Sequence, residues 1–220
     1  MSKRRFDPRE IDWSLYAILD REFIGNRSFG QIAEAVIQGG AGIVQLRDKV
    51  SGSRDFYLEA LQVREVTRNF GVPFVVNDRV DVALAVDADG VHVGWSDLPP
   101  EVVRRLIGSE RLLGLSASSE EEVDKAVSYS PDYLGVGAMF ATATKPDYPV
   151  PGPGLIAKVR SRVACPIVGI GGITPENAAA VVAAGADGVA VISALLSAQD
   201  VREQANRFVE AIRQVRKAEK

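Results

Sequence analysis

The sequence predicts a single (β/α)8 barrel, a TIM barrel of the α/β class, and three observations carry that expectation. Eight short apolar runs lie near residues 15–19, 42–47, 73–76, 90–94, 111–115, 132–137, 166–170 and 187–192. Amphipathic stretches separate them, as in a parallel sheet covered by helices. A junction of small residues and Asp/Gly turns also recurs before several strands, at residues 37–45, 86–94 and 183–191, with a variant at 130–137. Eight such units favour closure over an open doubly wound sheet, and 220 residues then require compact helices.

In chain order, residues 1–13 form an N-terminal extension of a domain that takes in residues 1–220, and Leu15–Leu19 is the first strand. After the second strand, residues 54–70 carry Leu58, Leu61, Val63, Val66 and Phe70 at mostly helical spacing. Ser118-Ser119-Glu120-Glu121 resembles a capping box before the helix that follows the fifth strand. Beyond the sixth strand a loop runs to Gly154 through Pro146, Pro149, Pro151 and Pro153. Loops of that length in compact domains usually serve function. After the seventh strand, Thr174-Pro175 has the form of an N-cap followed by a first-turn proline. A short helix can begin after Ile192.

Composition narrows the function. Hydrophobic residues make up 46% and charged residues 25%, the balance of an ordinary globular chain. A formal charge of −3 gives no nucleic-acid surface and no polybasic membrane patch, so an anionic ligand must be held locally. Gly185, Asp187 and Gly188 interrupt the most apolar region, and no secretion signal is evident, which points to the cytoplasm. Cys165, the single cysteine, lies in an apolar run and is expected to be a buried, inert thiol.

Polar residues collect where the strands end. In extended chain Gln45, Arg47 and Lys49 share one face, two cations and an amide. Their bland alternative is a solvated loop with pairing to Asp48 or Glu59. Asn77-Asp78-Arg79 ends the third strand, Gly94-Trp95-Ser96-Asp97 the fourth, and Ser116 the fifth. Asp78 and Asp97 are the oxygen ligands Mg2+ prefers, with ligand phosphate completing the shell; otherwise they are a turn Asp and a helix N-cap. Thr142, Thr144 and Lys145 supply two hydroxyls and a cation on the long loop. Gly171 and Gly172 let backbone N–H groups approach a ligand, and with Ile192-Ser193 they occupy the strand ends where barrels commonly hold phosphate. His92, the only histidine, alternates with Val91 and Val93 and is expected to be a satisfied core residue, so histidine general-base chemistry is disfavoured. What remains is an electrostatic site for two phosphorylated small molecules, in which cations and Mg2+ stabilise a leaving pyrophosphate.

Taken together, Gln45-Leu46-Arg47-Asp48-Lys49, Asn77-Asp78-Arg79, Asp89-Gly90-Val91-His92-Val93-Gly94, Thr142-Ala143-Thr144-Lys145 and Gly171-Gly172-Ile173 resemble the thiamine-phosphate synthase family, from about residue 14 to residue 197. The resemblance implies a transferase that joins hydroxymethylpyrimidine diphosphate to a thiazole phosphate with Mg2+ as cofactor. It implies that Gln45, Arg47, Lys49, Asn77, Ser116 and Lys145 hold the diphosphate substrate, with Arg47, Lys49, Ser116 and Lys145 taking part in catalysis. It further implies Mg2+ on Asp78 and Asp97, and the thiazole phosphate on Thr142, Thr144, Gly171, Gly172, Ile192 and Ser193. Trp95, Ala117-Ser118 and Ala138-Met139 depart from the family pattern without removing a proposed phosphate or metal ligand. A thiazole tautomerase of the same superfamily and a non-catalytic phosphate-binding barrel are the alternatives. Association into a homo-oligomer is compatible with either.

Overall fold

A computed structural model describes residues 5–142 and 149–218. Among these, eight parallel strands close into a barrel in sequence order, β1 pairing with both β2 and β8. The strands are β1 (Leu15–Asp20), β2 (Ile43–Arg47), β3 (Phe74–Asn77), β4 (Gly90–Val93), β5 (Leu112–Ala117), β6 (Tyr133–Gly137), β7 (Ile167–Ile170) and β8 (Gly188–Val191). Each of the eight expected apolar runs therefore holds a strand, offset by at most two residues.

Helices α1 (Arg21–Ile24) and α2 (Phe29–Gln38) follow β1, and α3 (Ser53–Phe70) follows β2. Then come α4 (Val80–Ala85), α5 (Pro100–Ile107), α6 (Glu120–Ser128), α7 (Pro153–Val159), α8 (Ala178–Ala183), α9 (Ser193–Leu196) and α10 (Val201–Ala218). Several connecting helices are short, α4 and α8 having six residues each, which is how a chain of this length still completes eight units.

Strand alternation divides the core in two. Leu15, Ala17, Leu19, Val44, Leu46, Val76 and Val91 face outward into the layer packed by the helices. Tyr16, Ile18, Ile43, Val75, Tyr133, Val168 and Ala190 face inward, and Trp13 joins them from below. The chain just before β1 is pressed onto the amino end of the barrel, so close that a Cβ on Gly188 would lie 1.7 Å from Trp13 O and one on Gly42 2.0 Å from Asp12 O. Only glycine admits that approach. Arg216 Nη1, from α10, ties the same region by donating to Ser14 Oγ at 2.7 Å.

Three local expectations need correction. Helix α3 forms over the expected residues, but it buries Phe56, Ala60, Val63, Arg64 and Thr67, while Leu58, Leu61 and Phe70 are exposed. The helical spacing of Leu58 and Leu61 is real; it marks the outer face, and Phe56, Ala60 and Val63 supply the buried one. The Ser119 side chain caps α6 by accepting from Glu122 N at 3.1 Å, and Glu122 reaches back to Ser118 N at 2.7 Å. The box is thus shifted one residue along from the quartet that suggested it. Thr174-Pro175 does not cap a helix directly. Asn177 precedes α8, and Thr174 N donates to Asn177 Oδ1 at 2.8 Å in an intervening turn.

Cys165 is half-buried, and burial pushes its thiol up to about 11, so it stays protonated at neutral pH as an inert group would. Away from the mouth, Asp89 is buried and accepts from Arg64 Nη1 at 2.7 Å, Arg5 Nη1 at 2.7 Å and Phe74 N at 3.0 Å. Arg64 is itself only 3% exposed, so the pair fixes α3 to the start of β3. No helix among the described residues is long and apolar enough to cross a membrane.

Candidate active site

The inward positions at the carboxyl ends of the strands frame a cavity of about 150 Å3. Gln45, Arg47, Asn77, Ser116, Thr142, Gly171, Gly172, Ile192 and Ser193 line it together with His92. Nine of the residues singled out in the sequence thus converge from five strand ends and the loop after β6. Thr144 and Lys145 lie outside the described residues. Lys49, Asp78 and Asp97 do not line the cavity; they form a separate group joined to it by Asn77, whose Nδ2 donates to Asp78 Oδ2.

The cations pair differently from the bland expectation. Asp48 and Glu59 are taken by Arg21. Arg47 instead pairs with Asp20, which is buried and also accepts from Glu22 N at 3.0 Å. Asp20 therefore holds the guanidinium over the mouth from an adjacent strand.

Lys49 Nζ contacts Asp78 and lies 3.7 Å from Asp97 Oδ1. Burial pushes the Asp78 carboxyl up to about 6, and the neighbouring Asp97 reinforces the rise against the opposing pull of Lys49. Burial also works against ionisation of Asp97, but its hydrogen bonds with Asp78 and with Gly94 N, together with the Lys49 charge, hold it below the usual carboxylate range. Two carboxylates close enough to perturb each other around one ammonium form a place where positive charge is welcome. Asp97 accepts from Gly94 N at 2.9 Å, and α5 begins beyond it at Pro100, so it does not cap that helix. Asp78 itself adopts φ 59°, a left-handed conformation that turns the chain directly out of β3.

Opposite this charged side, Gly171 and Gly172 have φ 98° and 64°. A Cβ on Gly172 would meet Ala141 O at 2.5 Å and Phe140 O at 2.7 Å, so the turn lies directly on the loop that follows β6. Asn177 Nδ2 donates to Gly172 O at 3.0 Å and braces the turn. Ser193 lines the same cavity as this turn, and a glycine turn with a hydroxyl residue suits an anion.

Beneath the cavity His92 is satisfied as expected, but it also borders the open space. Its Nδ1 is 3.0 Å from Tyr133 Oη and its Nε2 2.9 Å from Ser116 Oγ. Tyr16, Tyr133, Asp20 and Asn177 were not apparent as site residues in the sequence. The two tyrosines read as core aromatics, whereas Asp20 had a usable signal, a lone carboxylate ending an apolar strand.

The model of the thiamine monophosphate synthase family matches residues 15–195, from the first strand to α9. The chain belongs to that family. A thiamine-phosphate synthase of Chloroflexus aurantiacus is 52% identical over 199 residues, covering 90% of this chain and 92% of the relative. One from Ruminiclostridium cellulolyticum is 44% identical over 201 residues, covering 91% and 96%. A thiamine phosphate pyrophosphorylase structure from Pyrococcus furiosus superposes with a TM-score of 0.85 at 38% identity, covering 93% of this chain and 97% of that one. More distant barrels share only the fold, among them a geranylgeranylglyceryl phosphate synthase from Thermoplasma acidophilum at 16% identity and a TM-score of 0.70. The thiamine monophosphate synthase match spans all eight strands and every site residue described above.

Proposed function

We propose that this enzyme joins 4-amino-2-methyl-5-hydroxymethylpyrimidine diphosphate to a thiazole phosphate, releasing pyrophosphate and forming thiamine phosphate. The observation that carries the proposal is the division of the mouth into two unlike sides, one of cations and carboxylates suited to a diphosphate held with Mg2+ and one of backbone amides suited to a phosphate. On one side stand Arg47 and the Lys49–Asp78–Asp97 group. On the other stands the Gly171-Gly172 turn with Ser193. One phosphorylated substrate leaves half of this arrangement unused; two account for both halves.

Arg47, Lys49, Asn77 and Lys145 serve the diphosphate, with Gln45 and Ser116 facing its pyrimidine. Thr142, Thr144, Gly171, Gly172, Ile192 and Ser193 serve the thiazole phosphate. Departure of pyrophosphate is driven by positioning and by charge placed where negative charge develops, so no general base is required. The donor set of Asp78 and Asp97 fits Mg2+. Among the described residues no group of three or more His, Cys, Asp or Glu is arranged for a metal, and Mg2+ is ordinarily held by one or two carboxylates plus substrate phosphate. Bound there, Mg2+ would neutralise the leaving diphosphate. Lys49, meanwhile, keeps the two carboxylates together and offers its ammonium to the same oxygens. The reaction is assigned to the cytoplasm.

Pyrophosphate release and thiamine phosphate formation are to be followed together, with Mg2+ and with a chelator. Matched, Mg2+-dependent appearance of both products is expected. Binding of the thiazole phosphate with no pyrophosphate release would instead favour a tautomerase or a silent binder, and would remove Arg47, Lys49 and Asp97 from the mechanism.

A further inference from the structure

A hydrogen-bonded chain crosses the barrel interior beneath the proposed substrates. Gln45 Nε2 donates to Tyr16 Oη at 2.7 Å, Tyr16 Oη lies 2.7 Å from Tyr133 Oη, Tyr133 Oη lies 3.0 Å from His92 Nδ1, and His92 Nε2 lies 2.9 Å from Ser116 Oγ. Both ends, Gln45 and Ser116, line the cavity, while Tyr16 and Tyr133 are fully buried. The space is built for these rings. A Cβ on Gly114 would meet Tyr133 Cζ at 2.1 Å and His92 Nδ1 at 2.5 Å, and one on Gly135 would meet His92 Cε1 at 3.2 Å.

A hydroxyl has one proton to give and a neutral imidazole has one N–H, so the directions of donation along such a chain are not independent. With the Gln45 amide nitrogen at Tyr16, Tyr16 donates to Tyr133 and Tyr133 donates to His92 Nδ1. His92 then carries its proton on Nε2 and donates to Ser116, whose own proton is left for the cavity. Reversing any one link reverses them all, at the cost of an unmade bond in a dry interior.

We infer that Tyr16, Tyr133 and His92 are positioning residues that set the polarity of Gln45 and Ser116 jointly, so that the amide presents its carbonyl oxygen and the serine its hydroxyl proton. The inference rests on the proposed function, since an aminopyrimidine carries both donor and acceptor groups and is gripped only by a matching pair. Neither tyrosine needs to touch substrate for this.

Because His92 is the only histidine, nitrogen-15 NMR of the imidazole reports this one residue. At a pH well above about 6.5, where imidazole is ordinarily neutral, the wild type is expected to show the Nε2–H tautomer. Gln45→Glu, with ionisation of the new carboxylate verified by its carbon-13 signal, can only accept from Tyr16 and is expected to switch His92 to the Nδ1–H tautomer. Adding Tyr16→Phe breaks the chain, and the tautomer should then no longer follow position 45. The same tautomer in wild type and Gln45→Glu would overturn the inference.

Tyr133→Phe supplies the kinetic arm, since it keeps the ring and removes one link. KM for the pyrimidine diphosphate should rise about tenfold, with KM for the thiazole phosphate within about twofold; equal changes in both would indicate a merely structural role and count against the inference. The NMR arm needs no turnover. An inactive protein whose tautomer switches would therefore refute the proposed reaction alone, and an active protein whose tautomer does not switch would refute the coupling alone.

Discussion

Gly114→Ala tests how tightly the interior is filled. The added methyl would lie 2.1 Å from Tyr133 Cζ, 2.3 Å from Tyr133 Oη and 2.5 Å from His92 Nδ1. Ordinary contact between such atoms needs about 3.5 Å or more, so Tyr133 must retreat by more than about 1 Å. It has nowhere to go, because its ring centroid is 4.8 Å from that of Trp13 and 5.6 Å from that of Tyr16. Overpacking of this kind costs about 1–3 kcal/mol. Loss of the Tyr133 bonds to Tyr16 and His92 adds about 1 kcal/mol each. The expected loss is therefore about 3–5 kcal/mol, a large share of a typical domain stability of about 5–15 kcal/mol. Urea denaturation measures it directly. Gly135→Ala is the control, since its methyl meets the edge of the His92 ring, Cε1 at 3.2 Å and Nε2 at 3.7 Å, with Leu115 O at 4.0 Å, and should cost no more than about 1 kcal/mol. Neither glycine has positive φ, so backbone strain does not enter. A Gly114→Ala protein within about 1 kcal/mol of wild type, or one more stable than Gly135→Ala, would refute the packing argument.

The Asp78 carboxyl is raised to about 6 from its ordinary 3.8, so the folded protein binds the extra proton between those values and loses stability as pH rises through them. In chelator, Asp78→Asn should therefore gain on the wild type from about pH 4 to about pH 6 and hold a lead of about 1 kcal/mol above it, after allowance for solvent screening; urea midpoints across that range that run the other way would contradict this. Asp89→Asn leaves the buried Arg64 charge poorly compensated and should cost about 3–5 kcal/mol in urea denaturation, with kcat per folded molecule unchanged because the pair lies away from the mouth. Gly172→Ala places a methyl against the carbonyls of Phe140 and Ala141 at a φ of 64°, and steady-state kinetics should show KM for the thiazole phosphate raised about tenfold or more.

The barrel was legible because its strands are apolar on both faces and its polar residues stop the strands at one end. Gln45, Arg47, Asn77 and Ser116 announced the cavity in that way. The links beneath it did not, since Tyr16 and Tyr133 have the same hydrophobic signature as any core aromatic and only the closed ring of strands brings residues 117 positions apart into contact. Pairing was equally hidden. Arg47 had Asp48 beside it in sequence, yet alternation sends Asp48 outward to Arg21, and parallel register sets Arg47 opposite Asp20. On α3 the spacing of Leu58 and Leu61 identified a helix but not which side faced the sheet, because periodicity carries no absolute phase until a neighbour is in place.

Trp13 and the chain before β1 stopper the amino end of the barrel, with Tyr16 and Tyr133 stacked above. The molecule is thus a cup rather than a tube. The polar cavity among the described residues accordingly opens at the carboxyl ends of the strands, and both proposed substrates share that one mouth.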